Sequence, residues 1–462
     1  MSSFTHFISS SLILQPLKIS KPSIFSSKPY RNRNFTLVVA SDSQSKPNSR
    51  LKSRKPTMDG NKPTTKFRRK SSYGTSRRSI LKKTFNQEQV TFTSAFSDDP
   101  LIAIIGGGMA GIMCALSLEK RGVRSTVFDT LVDGWLAAGL VKEWKGTVGE
   151  LELGGRFVPM SSCPRYIGTN GMRPLADSLL SQTSLIDVIR PCWISKLEPF
   201  NGMWHLSENG KPCGHFDAVV IAHNGKCANR LLATSGLPLI ARQMKRLELS
   251  SIWALLAAFE DPLPSSDAAV TFPFEGAFVK GVDSISWMAN NNNKFLNFQN
   301  DGPHCWTFLS TAAFGKQNKV PQENIPTSTA EKVKKNMLEG VEAAMGLSKG
   351  SLPKPFFTRV QLWGAALPTN SPNIPCIFDP HGRAGICGDW LLGSNIESAA
   401  LSGIALGNHI ADYFQSGVER SEEFAVGLHN EFQPIQGHDI GQFPGLGTEK
   451  QAESALALQH AT

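Results

Sequence analysis

An unbroken apolar run at residues 101–105 follows the break Asp98-Asp99-Pro100, the pattern of a parallel strand buried on both faces. Three glycines, Gly106-Gly107-Gly108, come next. Apolar residues at helical spacing (Ile112, Ala115, Leu116) then predict a helix over 109–121. Gly122 stops that helix and residues 123–128 read as a second strand, which completes a β-turn-α-β unit. Downstream, 131–144 has the spacing of an amphipathic helix, and 150–159 alternates as a hairpin that turns at Gly154-Gly155. Residues 170–180 predict a helix, and 193–197, 203–207 and 216–222 predict strands. The apolar run 252–259 fits a buried strand or a short helix. A helix over 327–345 opens on Thr327-Ser328-Thr329 and stops at Gly346. A strand at 358–363, a Pro/Asn loop at 368–375, an apolar strand at 384–387 and a helix from 396 to 414 complete the pattern. No segment repeats.

Charge changes the picture at the N-terminus. The chain of 462 residues carries a formal +10, yet residues 1–97 hold 19 Lys and Arg against three acids (Asp42, Asp59, Glu88). The remainder holds 29 basic and 35 acidic residues and is mildly acidic. It shows no basic stripe with aromatic partners, so nucleic acid is not an expected partner. Residues 1–41 lack Asp and Glu, are rich in Ser and carry scattered Lys18, Lys21, Lys28, Arg31 and Arg33. That is the composition of a transit peptide, with Leu37-Val38-Val39-Ala40 as a processing site. Ser outweighs Arg, which favours a chloroplast (stromal) location over a mitochondrial one. Residues 42–98 read as a disordered basic linker and 415–462 as a poorly ordered tail. No apolar run approaches the ~20 residues that span a bilayer. Eight cysteines form no CxxC pair, and His304, His381 and His409 lack ligand spacing, so no metal is expected.

Two constellations carry chemistry. Gly106-x-Gly108-x-x-Gly111 lies between a strand and a helix that begins with Met109 and Ala110, and Asp129 ends the next strand. Such glycines allow a tight turn, close approach to a diphosphate and close helix–strand packing, while the helix N-terminus offers free N–H groups. Asp129, 18 residues past Gly111, suits both ribose hydroxyls. The second constellation is an apolar strand that stops at Gly388-Asp389, with Asn395 and Ile396 opening a small-residue helix. Asp389 would hold ribityl hydroxyls, and the helix N-terminus would face the flavin edge that becomes negative on reduction. Two sites so far apart in the chain fit FAD better than NAD alone.

These segments, with Val219-Val220-Ile221-Ala222 between them, resemble the flavin-containing amine oxidase superfamily over roughly 99–414, most closely its renalase-like branch. Asn170-Gly171-Met172-x-x-Leu175 is similar to the family's P-G-M helix opening. Trp193-Ile194 with Trp204 is similar to the strand whose backbone, at Ile194, holds the adenine. Ser286-Trp287-Met288-Ala289 and Leu362-Trp363 resemble strands of its substrate domain. The resemblance implies an FAD-dependent oxidoreductase that passes hydride from a small organic substrate to flavin N5, with O2 or NAD(P) as second substrate. One departure stands out: the family's G-G-R shortly after the acid is missing, because Asp129 runs straight into the 131–144 pattern. Gly154-Gly155-Arg156 sits in an alternating context and reads as a hairpin turn instead. The departure raises the alternative of a flavin-free or catalytically silent scaffold, and a carotenoid- or porphyrin-type desaturase or oxidase is a further alternative.

The expected architecture is α/β. A Rossmann-like FAD-binding domain of the glutathione-reductase type is assembled from 99–130, 172–235 and 372–414, and a mixed-sheet substrate domain from 131–171 and 236–371. No side chain is singled out as catalytic. Trp287 and Trp363 read as core, Lys280 as a solvated strand end, and His223 as a loop residue lining the nucleotide domain.

Overall fold

The computed structural model describes residues 35–38, 83–95, 99–121, 135–160, 165–169, 171–181, 185–264, 274–292, 303–416 and 418–435. A six-stranded sheet runs in the order Ile377–Asp379, Ala384–Ile386, Ala218–Ile221, Ile102–Ile105, Phe35–Val38, Ile186–Ile189. Neighbours are parallel except for the first pair. Alternation along each strand explains the continuous apolar runs. Ile102, Ile104, Ala218 and Val220 pack with the helices Met109–Lys120, Met172–Ser181 and Ile396–Ser416. Ala103, Ile105, Val219 and Ile221 point the other way, toward the helices Gly225–Leu232 and Pro238–Arg246 and a meander of Lys196–Phe200, Met203–Glu208 and Lys211–Phe216. Both faces of the sheet are therefore covered, as a parallel sheet requires. The fold is the expected α/β class.

A seven-stranded mixed sheet forms the second body, in the order Phe357–Pro368, Leu249–Phe259, His304–Leu309, Trp287–Asn290, Gly276–Lys280, Val148–Glu152, Phe157–Pro159. The run left open between strand and helix is a strand. Trp253, Leu255, Ala257 and Phe259 face the helix Thr327–Ala344, while Ile252, Ala254 and Leu256 face Phe278, Trp287 and Trp363.

Three sequence expectations change and a fourth is not described. The strand expected at 123–128 lies outside the described residues, and the place beside Ile102–Ile105 is filled by Phe35–Val38, from within the expected transit peptide. Of the helix expected over 131–144, residues 135–137 are helical, but the chain turns at 138–139 and Val141–Glu143 pairs with Tyr166–Gly168 as a strand. The spacing misled because Trp135 and Val141 are buried in one core and Trp144 in another, rather than along one helical face. Residues 83–95, expected in a disordered linker, are docked. Val90 N–H donates to the Gly236 carbonyl and Phe92 N–H to the His381 carbonyl, and Phe92 packs edge-on against Trp204. The tail is also anchored as far as 435, through the Phe378–Val426 bridge and Phe432 stacked on Trp390.

Candidate functional site

Strand register decides where the two constellations lie. Ile221 pairs with Ile105 on one side and with Ile386 on the other, all in parallel. The bonding continues past the strand ends: Ala222 N–H donates to the Ile105 carbonyl and Cys387 N–H to the Ile221 carbonyl. The Gly106 turn and Gly388-Asp389 thus leave the same carboxyl edge of the sheet, one strand apart. In open α/β sheets that edge is where ligands sit.

Two of the roles that the spacing suggests are seen directly, the tight turn at Gly106 and the close packing at Gly111. Gly106 holds φ +128°, and a Cβ there would come within 2.7 Å of the Ala222 carbonyl oxygen. A Cβ on Gly111 would stand 2.0 Å from the Gly106 carbonyl oxygen, so helix and turn touch backbone to backbone. Gly108 differs: nothing lies within 4 Å of the position its Cβ would take. An open Gly at a helix N-terminus, set between two packed ones, leaves room for an anionic group such as a diphosphate. Met109 and Ala110 form the first turn of that helix, with Ala110 buried. Asp129 lies outside the described residues.

The other half is built by Ile396–Ser416. Asn395 Oδ1 accepts from the Ser398 N–H at 2.6 Å, so Asn395 caps the helix, and Ile396 is half-buried at its opening. Gly388 N–H donates to Ser402 Oγ at 2.9 Å, which pins the strand end to the helix. This helix lies directly on Met109–Lys120: a Cβ on Gly403 would meet the Ala110 carbonyl oxygen at 2.1 Å, and one on Gly407 the Cys114 carbonyl oxygen at 2.6 Å. Asp389 is half-buried at the edge, and burial pushes its carboxyl up to about 6, opposed by the backbone N–H groups of Trp390 and Asp389. No salt bridge among the described residues reaches it. Its oxygens therefore suit hydroxyl donors.

His223, expected as a loop residue lining the nucleotide domain, has a contact the sequence does not reveal. Its Nδ1 lies 3.0 Å from the Ile105 carbonyl. A carbonyl only accepts, so Nδ1 carries the proton and Nε2 is an acceptor. Burial pushes the imidazole below its ordinary pKa, partly offset by that backbone bond, and it is neutral at pH 7. Ser402 and the Gly403–Gly407 contact were missed, although two glycines four apart in a small-residue helix signal a close helix crossing.

The remaining expectations sort by distance from this edge. Ile194 is buried with Trp204 on the meander side of the sheet. Gly154 and Gly155, both at φ +94°, turn the hairpin between Val148–Glu152 and Phe157–Pro159, with Gly155 against Met345, so they do not serve the dinucleotide loop. Lys280 pairs with Glu150 at 3.4 Å beside that hairpin. Trp287 is core, 4.6 Å from the Phe278 ring. Among the described residues no three His, Cys, Asp or Glu side chains gather as metal ligands, and no helix is long and apolar enough to cross a membrane.

No family model matches the chain. Among solved structures, the chain is similar to a protein from Exiguobacterium sp. 255-15 described as a protoporphyrinogen oxidase, at TM-score 0.48 and 11% identity over 68% of this chain and 99% of that one. Putrescine oxidase bound to putrescine superposes at TM-score 0.44 and 9% identity over 67% and 98%. Reduced UDP-galactopyranose mutase does so at 0.46 and 9% over 68% and 94%.

Proposed function

We propose that the chain is an FAD-dependent oxidoreductase of the amine-oxidase type acting on a small organic substrate. One observation carries the reading: the open Gly108 cradle and the Asp389 carboxyl leave the same sheet edge on either side of Ala218–Ile221. An adenine dinucleotide with a second ring system needs two such supports; a single nucleotide needs one. In this reading Gly106–Gly111 holds the diphosphate, Asp389 accepts from ribityl hydroxyls, and the Asn395-capped N-terminus of Ile396–Ser416 stabilises negative charge on the flavin. FAD, when bound, supplies a hydride acceptor at N5. The protein's own part is to orient the substrate and keep His223 neutral beside the turn. O2 and NAD(P) are the candidate second substrates.

The test is flavin uptake by the purified chain. Wild type should be yellow, or become so on adding FAD. Gly108→Val should fold with an unchanged circular dichroism spectrum and melting temperature yet stay colourless, because its side chain enters open space where the diphosphate would lie. A folded wild type that takes up no flavin ends this reading. It would favour a flavin-free scaffold, which has one observation behind it: Phe35–Val38 holds the sheet position expected for the strand leading to Asp129. The renalase-like affinity and a plastid location are further parts of the proposal. N-terminal sequencing of the mature protein tests the latter, since removal of residues 1–41 would take Phe35–Val38 with it.

A further inference from the structure

The seven cysteines among the described residues are free thiols; Cys227 and Cys305 are half-buried apart from the rest, and the other five fall into two environments. Cys114, Cys376 and Cys387 are sealed in the core, with Cys387 hydrogen-bonded to Cys114. Cys192 and Cys213 sit elsewhere, at the meander. Cys192 lies in the loop between Ile186–Ile189 and Lys196–Phe200, Cys213 in Lys211–Phe216, and their sulfurs are 4.0 Å apart. Cys192 is 5% exposed, whereas Cys213 is partly open to solvent.

The geometry points to Cys192 and Cys213 as a reversible intrachain disulfide site. Two sulfurs in contact need to close by only about 2 Å to reach bonding distance. The backbone at Cys213 can supply that movement, because the register shifts between Pro212 and Gly214 and Gly214 holds φ +121°. A bulge leaves its extra residue outside the ladder, so it can turn without breaking paired hydrogen bonds. Roles follow from the surroundings. Burial first, and then the neighbouring Cys213, pushes the Cys192 thiol up to about 11, so Cys192 keeps its proton while the more open Cys213 meets an oxidant first.

With hydrogen peroxide as oxidant, the Cys213 sulfur attacks one peroxide oxygen. An S–O bond forms, the O–O bond breaks, and the departing hydroxide takes the thiol proton and leaves as water. The Cys192 sulfur then attacks the sulfenic sulfur. An S–S bond forms, the S–O bond breaks, and a second water leaves with the remaining thiol proton. The two sulfurs lose two electrons and the peroxide becomes two waters. The bond would staple the start of a loop already held to Met203–Glu208 by Trp193 N–H to Glu208 Oε1 and Ser195 N–H to the Ser207 carbonyl. It does not depend on what the sheet edge binds.

The experiment treats the full chain with a small excess of hydrogen peroxide, alkylates free thiols, and maps peptides by mass spectrometry without reduction. The expected result is a linked Cys192–Cys213 peptide, lighter by about 2 Da than the sum of its thiol halves, that dithiothreitol reverses while Cys114, Cys376 and Cys387 stay reduced. Cys192→Ser should leave a sulfenic acid at Cys213 that dimedone traps. Recovery of Cys192 as an alkylated thiol beside a Cys213 oxidised to sulfinic or sulfonic acid overturns the proposal, as does linkage of either residue to another cysteine. Wild type alone decides the question if the variant fails to fold.

Discussion

At Asp389 the folding and binding consequences of one carboxyl run in opposite directions. Its folded pKa of about 6 lies above the ordinary 3.8, so it contributes stability below about pH 4 that is lost as pH rises through 6. In the flavin-free protein, Asp389→Asn should be more stable than wild type at pH 7 by on the order of 1–3 kcal/mol, with the difference fading toward pH 4. Denaturant titrations at several pH values measure this. Hydroxyl donors favour the ionised form, so flavin affinity of the wild type should rise with pH through 6 and that of the variant should not. The residues that sequence reading assigned here were legible because strand, turn and helix constrain glycine so tightly. Spacing alone marked Gly106 for the turn and Gly111 for packing; it did not disclose that Ala222, from another strand, is a neighbour that closes on both.

Among elements, the pair Met109–Lys120 and Ile396–Ser416 holds the two half-sites in one frame. Gly403→Val should push the helices apart, since even its Cβ would overlap the Ala110 carbonyl. A loss of about 3 kcal/mol or more is expected, read from chemical unfolding, together with loss of flavin uptake. Gly393→Ala is the control, because its Cβ meets nothing nearer than Ser398 Oγ at 3.2 Å. Elements with one dominant partner were readable from sequence: Thr327–Ala344 with its apolar stripe, the hairpin at Gly154-Gly155, and the strand Ala384–Ile386. Those whose neighbours are distant in the chain were not. Lys211–Phe216 was missed because Pro212 and Gly214 disguise a bulged strand that gains its ladder from Met203–Glu208. The stretch 135–144 failed because its tryptophans serve two different cores.

For the whole molecule, polar composition hid a clamp. Residues 83–95 read as linker because Lys, Thr, Gln and Ser dominate them, yet Gln89 donates to the buried Asp379 and Phe92 sits between Trp204 and the Arg383 guanidinium, 5.4 Å from each. Phe92→Ala should cost about 2–3 kcal/mol in unfolding free energy and expose this segment to protease without altering the meander. An unchanged cleavage rate would show that the aromatic contact does not hold the strap.

The glycine-mediated touch of two helices nearly 300 positions apart also has a consequence in time. During synthesis the first cradle emerges early, but its opposite wall is among the last stretches to leave the ribosome. A stalled nascent chain ending before residue 390 should carry no pigment however long it waits, and colour should appear only after release of the C-terminal portion. Maturation of such a protein is limited by its last-made helix, not its first-made loop.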